Sequence, residues 1–74
     1  MNNERRKTLS QAIALLEQAN KLISRVLDEE QDAFDNMPEG LQMSERGEQI
    51  EENIDTLSNI TDELDTFATD LGAM

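Results

Sequence analysis

The sequence has no histidine, cysteine, tryptophan or tyrosine, and only two phenylalanines, three glycines and one proline among 74 residues. Each absence removes a class of function. Without histidine the commonest general acid/base is missing, and without cysteine so is the thiol nucleophile. Neither a zinc, a haem nor an iron–sulfur site can be assembled from His or Cys ligands. Disulfides are impossible, so the chain carries no mark of a redox compartment. Positive charge is also scarce: six Lys and Arg face seventeen Asp and Glu, a net charge of −11. Direct nucleic-acid binding needs clustered Lys and Arg, so bare nucleic acid is not the expected partner of so acidic a chain. Long apolar runs are missing too. The longest is Ala12 to Leu16, far short of the ~20 residues that span a bilayer. The basic start, Arg5-Arg6-Lys7, is not followed by the ~7–15 apolar residues of a secretion signal. The expectation is a soluble cytoplasmic protein with no membrane partner, no cofactor and no catalytic residue.

What is present is periodicity. Leu9, Leu16 and Ile23 recur every seven residues, with Ala12, Ala19, Val26 and Ala33 three positions on and Ile13, Leu27 and Phe34 beside them. Asn20 interrupts the last track, and Leu15 and Leu22 widen the apolar face. A second segment repeats Met43, Ile50, Leu57, Leu64 and Leu71, flanked by Ile54, Thr61 and Ala68 and by Asn53, Ile60 and Phe67. Heptads sustained this long predict helices packed at shallow angles. Pro38, Asn36 and Gly40 break the pattern between them, and Ser44 is a favourable N-cap. The predicted fold is all-α, a single domain over 1–74. Helix 1 covers about 8–35, a loop about 36–43, in which Pro38–Gln42 can form a turn of helix, and helix 2 about 44–71. Equal lengths and a short connection make this an antiparallel hairpin. Met43 is expected as the first core residue of helix 2 and Leu41 as the closure of the bundle's end. Asn20 and Asn53 are candidates for fixing register if they reach the seam.

A hairpin of this size has one seam and no covalent or metal staple, and such cores rarely supply more than ~3–5 kcal/mol. The expectation is therefore a homodimer forming a four-helix bundle, with Leu15 and Leu22 at the dimer contact. In the competing reading the same stripe packs into a larger assembly.

Charge is distributed unevenly. Residues 1–25 are net +3 and residues 26–74 are net −14. The bend gathers Asp28, Glu29, Asp32, Asp35, Glu39, Glu45, Glu48 and Glu52. Carboxylates on a rigid rod can imitate a phosphate backbone and occupy a basic groove on another protein, which makes these eight the candidate partner-binding residues. A metal role is a weaker reading of the same acids. Asp28, Glu30, Asp32, Asn36 and Glu39 have calcium-loop spacing, but Ala33 stands where the turn glycine belongs. Glu45-x-x-Glu48 lacks the histidine of carboxylate di-metal bundles. No metal ligand is assigned, and weak divalent-cation binding is the third reading of the chain.

The stretch Asp35 to Glu48, DNMPEGLQMSERGE, carries a resemblance through Asp35, Asn36, Pro38, Glu39, Leu41, Gln42, Ser44, Glu45, Arg46 and Gly47. It resembles small acidic helical proteins of bacteriophages and prophages. The resemblance implies a phage-associated accessory protein in the host cytoplasm that interferes with host machinery. It implies no reaction and transfers no catalytic or ligand residue.

Overall fold

Asn2 supplies the first structural signal. Its side chain accepts a hydrogen bond from the Arg5 backbone N–H at 2.8 Å, capping the helix that follows. In the computed structural model, which describes all 74 residues, α1 therefore runs Asn3–Asp35. That is five residues earlier than the apolar pattern predicts. The first turn is polar and shows no periodicity, so only its cap betrays it. A single turn, α2 (Glu39–Gln42), follows Pro38, and α3 spans Glu45–Gly72. Ser44 caps α3 as expected, its Oγ accepting from Gly47 N at 3.4 Å. There are no strands, no cis peptides and no positive φ.

The bend is held by side chains rather than by bulk. Gln42 Nε2 donates to the Phe34 carbonyl at 2.8 Å, a second bond to a helix-end carbonyl that also accepts from Met37 N at 3.1 Å. The Ser44 hydroxyl donates to the Leu41 carbonyl. Gly47, the one buried residue of the chain, lies against the α2 backbone. Replacing Gln42 with alanine removes a partly buried hydrogen bond worth about 1 kcal/mol. We expect a thermal midpoint lower by roughly 4–8 °C in a circular-dichroism melt.

The long helices α1 and α3 pack against each other in antiparallel fashion. Two polar contacts set the register: Asn20 Nδ2 donates to the Thr61 carbonyl and Asn53 Nδ2 to Glu30 Oε2, each at 3.3 Å. A residue of α1 is thus level with the α3 residue whose number brings the pair to about 82, between the 81 and 83 of those two pairs. Asn20 sits in the seam, where it also accepts from Ser24 Oγ at 3.3 Å, while Asn53 is exposed at its edge.

The seam comprises Leu9, Ile13, Leu16, Ile23, Leu27 and Phe34 against Ile50, Ile54, Leu57, Leu64 and Leu71, all half-buried. It is narrower than the apolar faces that feed it. Val26 and Ala33 are exposed, as are Ile60 and Phe67. Met43 is 80 % exposed and is no core residue: Ser44 starts the helix, so Met43 lies outside it and cannot join its face. Leu41 is also exposed and leaves the end of the rod open.

The result is a thin rod of 58 × 14 × 13 Å with a radius of gyration of 16.9 Å; a compact chain of this length would have about 11 Å. Its accessible surface is 5792 Å², about 1,200 Å² more than a compact chain of the same mass exposes.

Candidate interaction surfaces

With the register known, the charge map becomes spatial. Residues 26–56, the half of the rod that includes the bend, carry eleven acids and one base, a net charge of −10. The other half combines residues 1–25, at +3, with residues 57–74, at −4, for a net of −1. Almost all of the protein's negative charge therefore belongs to the bend half.

The structure places the eight predicted partner-binding acids, all exposed, around that half rather than on one flat face. Asp28, Asp32 and Asp35 recur at helical spacing on the outer side of α1, away from the seam. Glu45, Glu48 and Glu52 do the same on the outer side of α3. Glu39 sits on α2 at the tip, and Glu29 lies on a flank of α1 beside the Leu15–Leu22 stripe. Two acidic ridges thus run along opposite edges of the rod and meet at the bend. Among the eight, Asp35 accepts a side-chain hydrogen bond, from Gln31 Nε2 at 3.0 Å. Arg46 is the one base in this half.

Helix dipoles treat the two ridges differently. Glu45 and Glu48 stand in the first turn of α3, where negative charge is favourable. Asp32 and Asp35 close α1 with no base in its last turn, and each opposes the dipole by about 0.3–1 kcal/mol. Nowhere do three or more carboxylates converge closely enough to hold a metal ion; Asp28, Glu30 and Asp32 belong to a continuous helix and not to a loop that could wrap a cation. A surface depression of about 620 Å³ is lined by Met1, Glu4, Arg5, Lys7, Thr8 and Leu9 from α1 and the residues before it alone. No helix is long and apolar enough to cross a membrane.

No family model, no curated protein and no solved structure matches this chain. The functional reading therefore rests on its surfaces.

A second surface lies between the ridges. Leu15 and Leu22, 65 % and 59 % exposed, sit about a third of a turn from the seam on α1, and Val26 lies between their stripe and the seam. On α3, Ile60 and Phe67 sit about a quarter-turn from the seam in the sense that, for an antiparallel neighbour, brings them to the same side. Val26 shares a groove with Asn53 and Thr56, and Asn53 stands one heptad before Ile60 and two before Phe67, so helical spacing carries both stripes along that side. By register Leu15 is level with Phe67 and Leu22 with Ile60. The heptad pattern marks Leu15 and Leu22 as a stripe that widens the face of helix 1 and sets Ile60 and Phe67 on a track beside the apolar row of helix 2. The signal for the exposure of Ile60 and Phe67 was the doubled width of the helix-2 face, which one neighbouring helix cannot cover.

Proposed function

We propose that this chain is a non-enzymatic interaction protein that inserts its acidic bend into a basic groove of a host or phage protein, in the manner of a nucleic-acid mimic acting in the bacterial cytoplasm. The observation that carries the reading is the concentration of a net −10 in one half of the rod, displayed on both edges. Ridges on opposite sides of a rod suit a cleft that grips both edges better than a flat patch. A cleft of that kind, positively charged and open along its length, is what proteins that hold nucleic acid present. Asp28, Asp32, Asp35, Glu45, Glu48 and Glu52 are assigned to the two edges, Glu29 and Glu39 to the flank and tip. The acting form is a dimer, a four-helix bundle that presents two such ends. The phage resemblance of the bend sequence agrees with an inhibitor directed at host machinery.

The test is affinity capture from bacterial lysate beside the variant D28K/D32K/E48K/E52K. Raising ionic strength from 0.1 to 1 M shortens the screening length from about 10 Å to about 3 Å. We expect the captured protein to be lost in high salt, lost with the charge-reversed variant, and displaced by duplex DNA. Capture that survives both the salt and the variant would overturn the reading.

A further inference from the structure

The apolar side of the rod has a symmetry that bears on what covers it. Leu15 and Leu22 are one heptad apart, and so are Ile60 and Phe67. In the observed register the midpoint of the first pair and the midpoint of the second stand at the same level. A single two-fold axis through that level, in the plane of the face and at right angles to the rod, would lay Leu15 over the partner's Leu22 and Ile60 over the partner's Phe67. We propose that a second copy of this chain covers this face about that axis, with α1 antiparallel on α1 and α3 antiparallel on α3. The inference gives the dimer of the preceding section its face and orientation, and it is independent of the basic partner.

Three further observations favour this occupant. The first is area. The rod exposes about 1,200 Å² more than a compact chain of its mass, and a standard interface takes about 800 Å² from each partner. The second is charge along α1. Residues 1–25 are net +3, whereas residues 26–35 hold five acids and no base. Antiparallel stacking sets Arg5 and Lys7 of each copy level with Asp32 and Glu30 of the other. The third is the charge of the halves. A two-fold axis along the rod would put a net −10 beside a net −10, whereas the perpendicular axis lays each acidic bend half over the near-neutral half of the other copy and sends the bends to opposite ends, ~60 Å apart at ~1.5 Å per helical residue. Isologous contacts of this kind are the commonest way in which small chains close an oligomer.

Because the chain has no cysteine, single thiols report this geometry without background. We expect the protein to sediment as a dimer, at twice 8.4 kDa. The double variant L15E/L22E should weaken association at least about 100-fold, since it desolvates charge at the contact, while retaining its far-UV helicity. Under mild oxidation A19C, at the level of the axis, should form a disulfide-linked dimer, whereas L41C, at the bend, should not. A monomer at about 100 μM, or a double variant that stays dimeric, would overturn the proposal. So would linkage of L41C without linkage of A19C, which would mark an axis along the rod. If L15E/L22E unfolds, the thiol pair still decides. Lysate capture through the acidic bend is read separately, so failure of either proposal leaves the other standing.

Discussion

Replacing Gly47 with alanine is expected to lower the thermal midpoint by roughly 5–20 °C, although helix propensity alone argues for the opposite sign. Alanine is favoured over glycine inside a helix by about 1 kcal/mol, and Gly47 lies in the first turn of α3 with an ordinary negative φ. Conformational freedom is therefore not what the position needs. Space is. A Cβ there would overlap the Gln42 carbonyl oxygen and lie 2.5 Å from its carbon and 2.6 Å from the Leu41 oxygen. All three are backbone atoms of the α2 turn and cannot rotate away. The turn must lift, and with it go the Gln42 cap on Phe34 and the Ser44–Leu41 hydrogen bond. Overpacking of this kind costs about 1–3 kcal/mol, and the lost cap adds about 1 more. After the propensity gain of about 1 kcal/mol is taken off, the net of roughly 1–3 kcal/mol is a large share of the ~3–5 kcal/mol such a small core supplies. Gly40 and Gly72 are internal controls. Nothing lies within 4 Å of a Cβ at either, so alanine there should leave the melt unchanged or raise it slightly. Equal losses at all three glycines would contradict the close approach of α2.

Gly47 also shows where sequence reasoning stops. Within a helical pattern it reads as a weak helix residue, and nothing local reveals that another turn of chain presses on it. The features that were legible are those with local causes. Ser44 starts α3 because a hydroxyl can satisfy the free N–H groups there, and Pro38 bars helix across the bend. The heptads place Ile50, Leu57, Leu64 and Leu71 in one row because helical geometry does so whatever they touch. Features that depend on a neighbour were not legible. Asn20 reaches Thr61 and Asn53 reaches Glu30 only because of the register, and apolar spacing alone allowed either to stay at an edge. Met43 was in phase with the heptad yet lies outside the helix, since its track begins one residue before the cap. Asn2 was a strong cap in plain view, but the absence of apolar residues after it hid the helix it starts. For the candidate site, the acids and their one-sided charge were legible by counting. Their division into two ridges was not, because it depends on how the two helices turn against each other.

The contrast between Leu57 and Leu15 offers the sharpest separation of the fold from its surfaces. Both are leucines in heptad positions on long helices. Leu57 is half-buried in the seam, while Leu15 is 65 % exposed on the outer stripe. Truncating a buried leucine to alanine costs about 2–5 kcal/mol, and partial burial puts Leu57→Ala near 2–3 kcal/mol. With so few layers in the seam and no fully buried apolar side chain to compensate, that loss is comparable to the whole stability of a single hairpin. At low micromolar concentration the melt of Leu57→Ala should fall by roughly 10–20 °C. Leu15→Ala, which removes atoms already in water, should stay within about 0.5 kcal/mol of the parent protein. Raising the concentration should then separate the two in the other direction. Association stabilises whatever folded form it binds, so the parent and Leu57→Ala should gain thermal stability with concentration, and Leu15→Ala should gain less. An equal fall for both variants at low concentration would mean that the outer stripe is already covered within one chain. The narrow seam inferred from the half-buried residues would then be wrong.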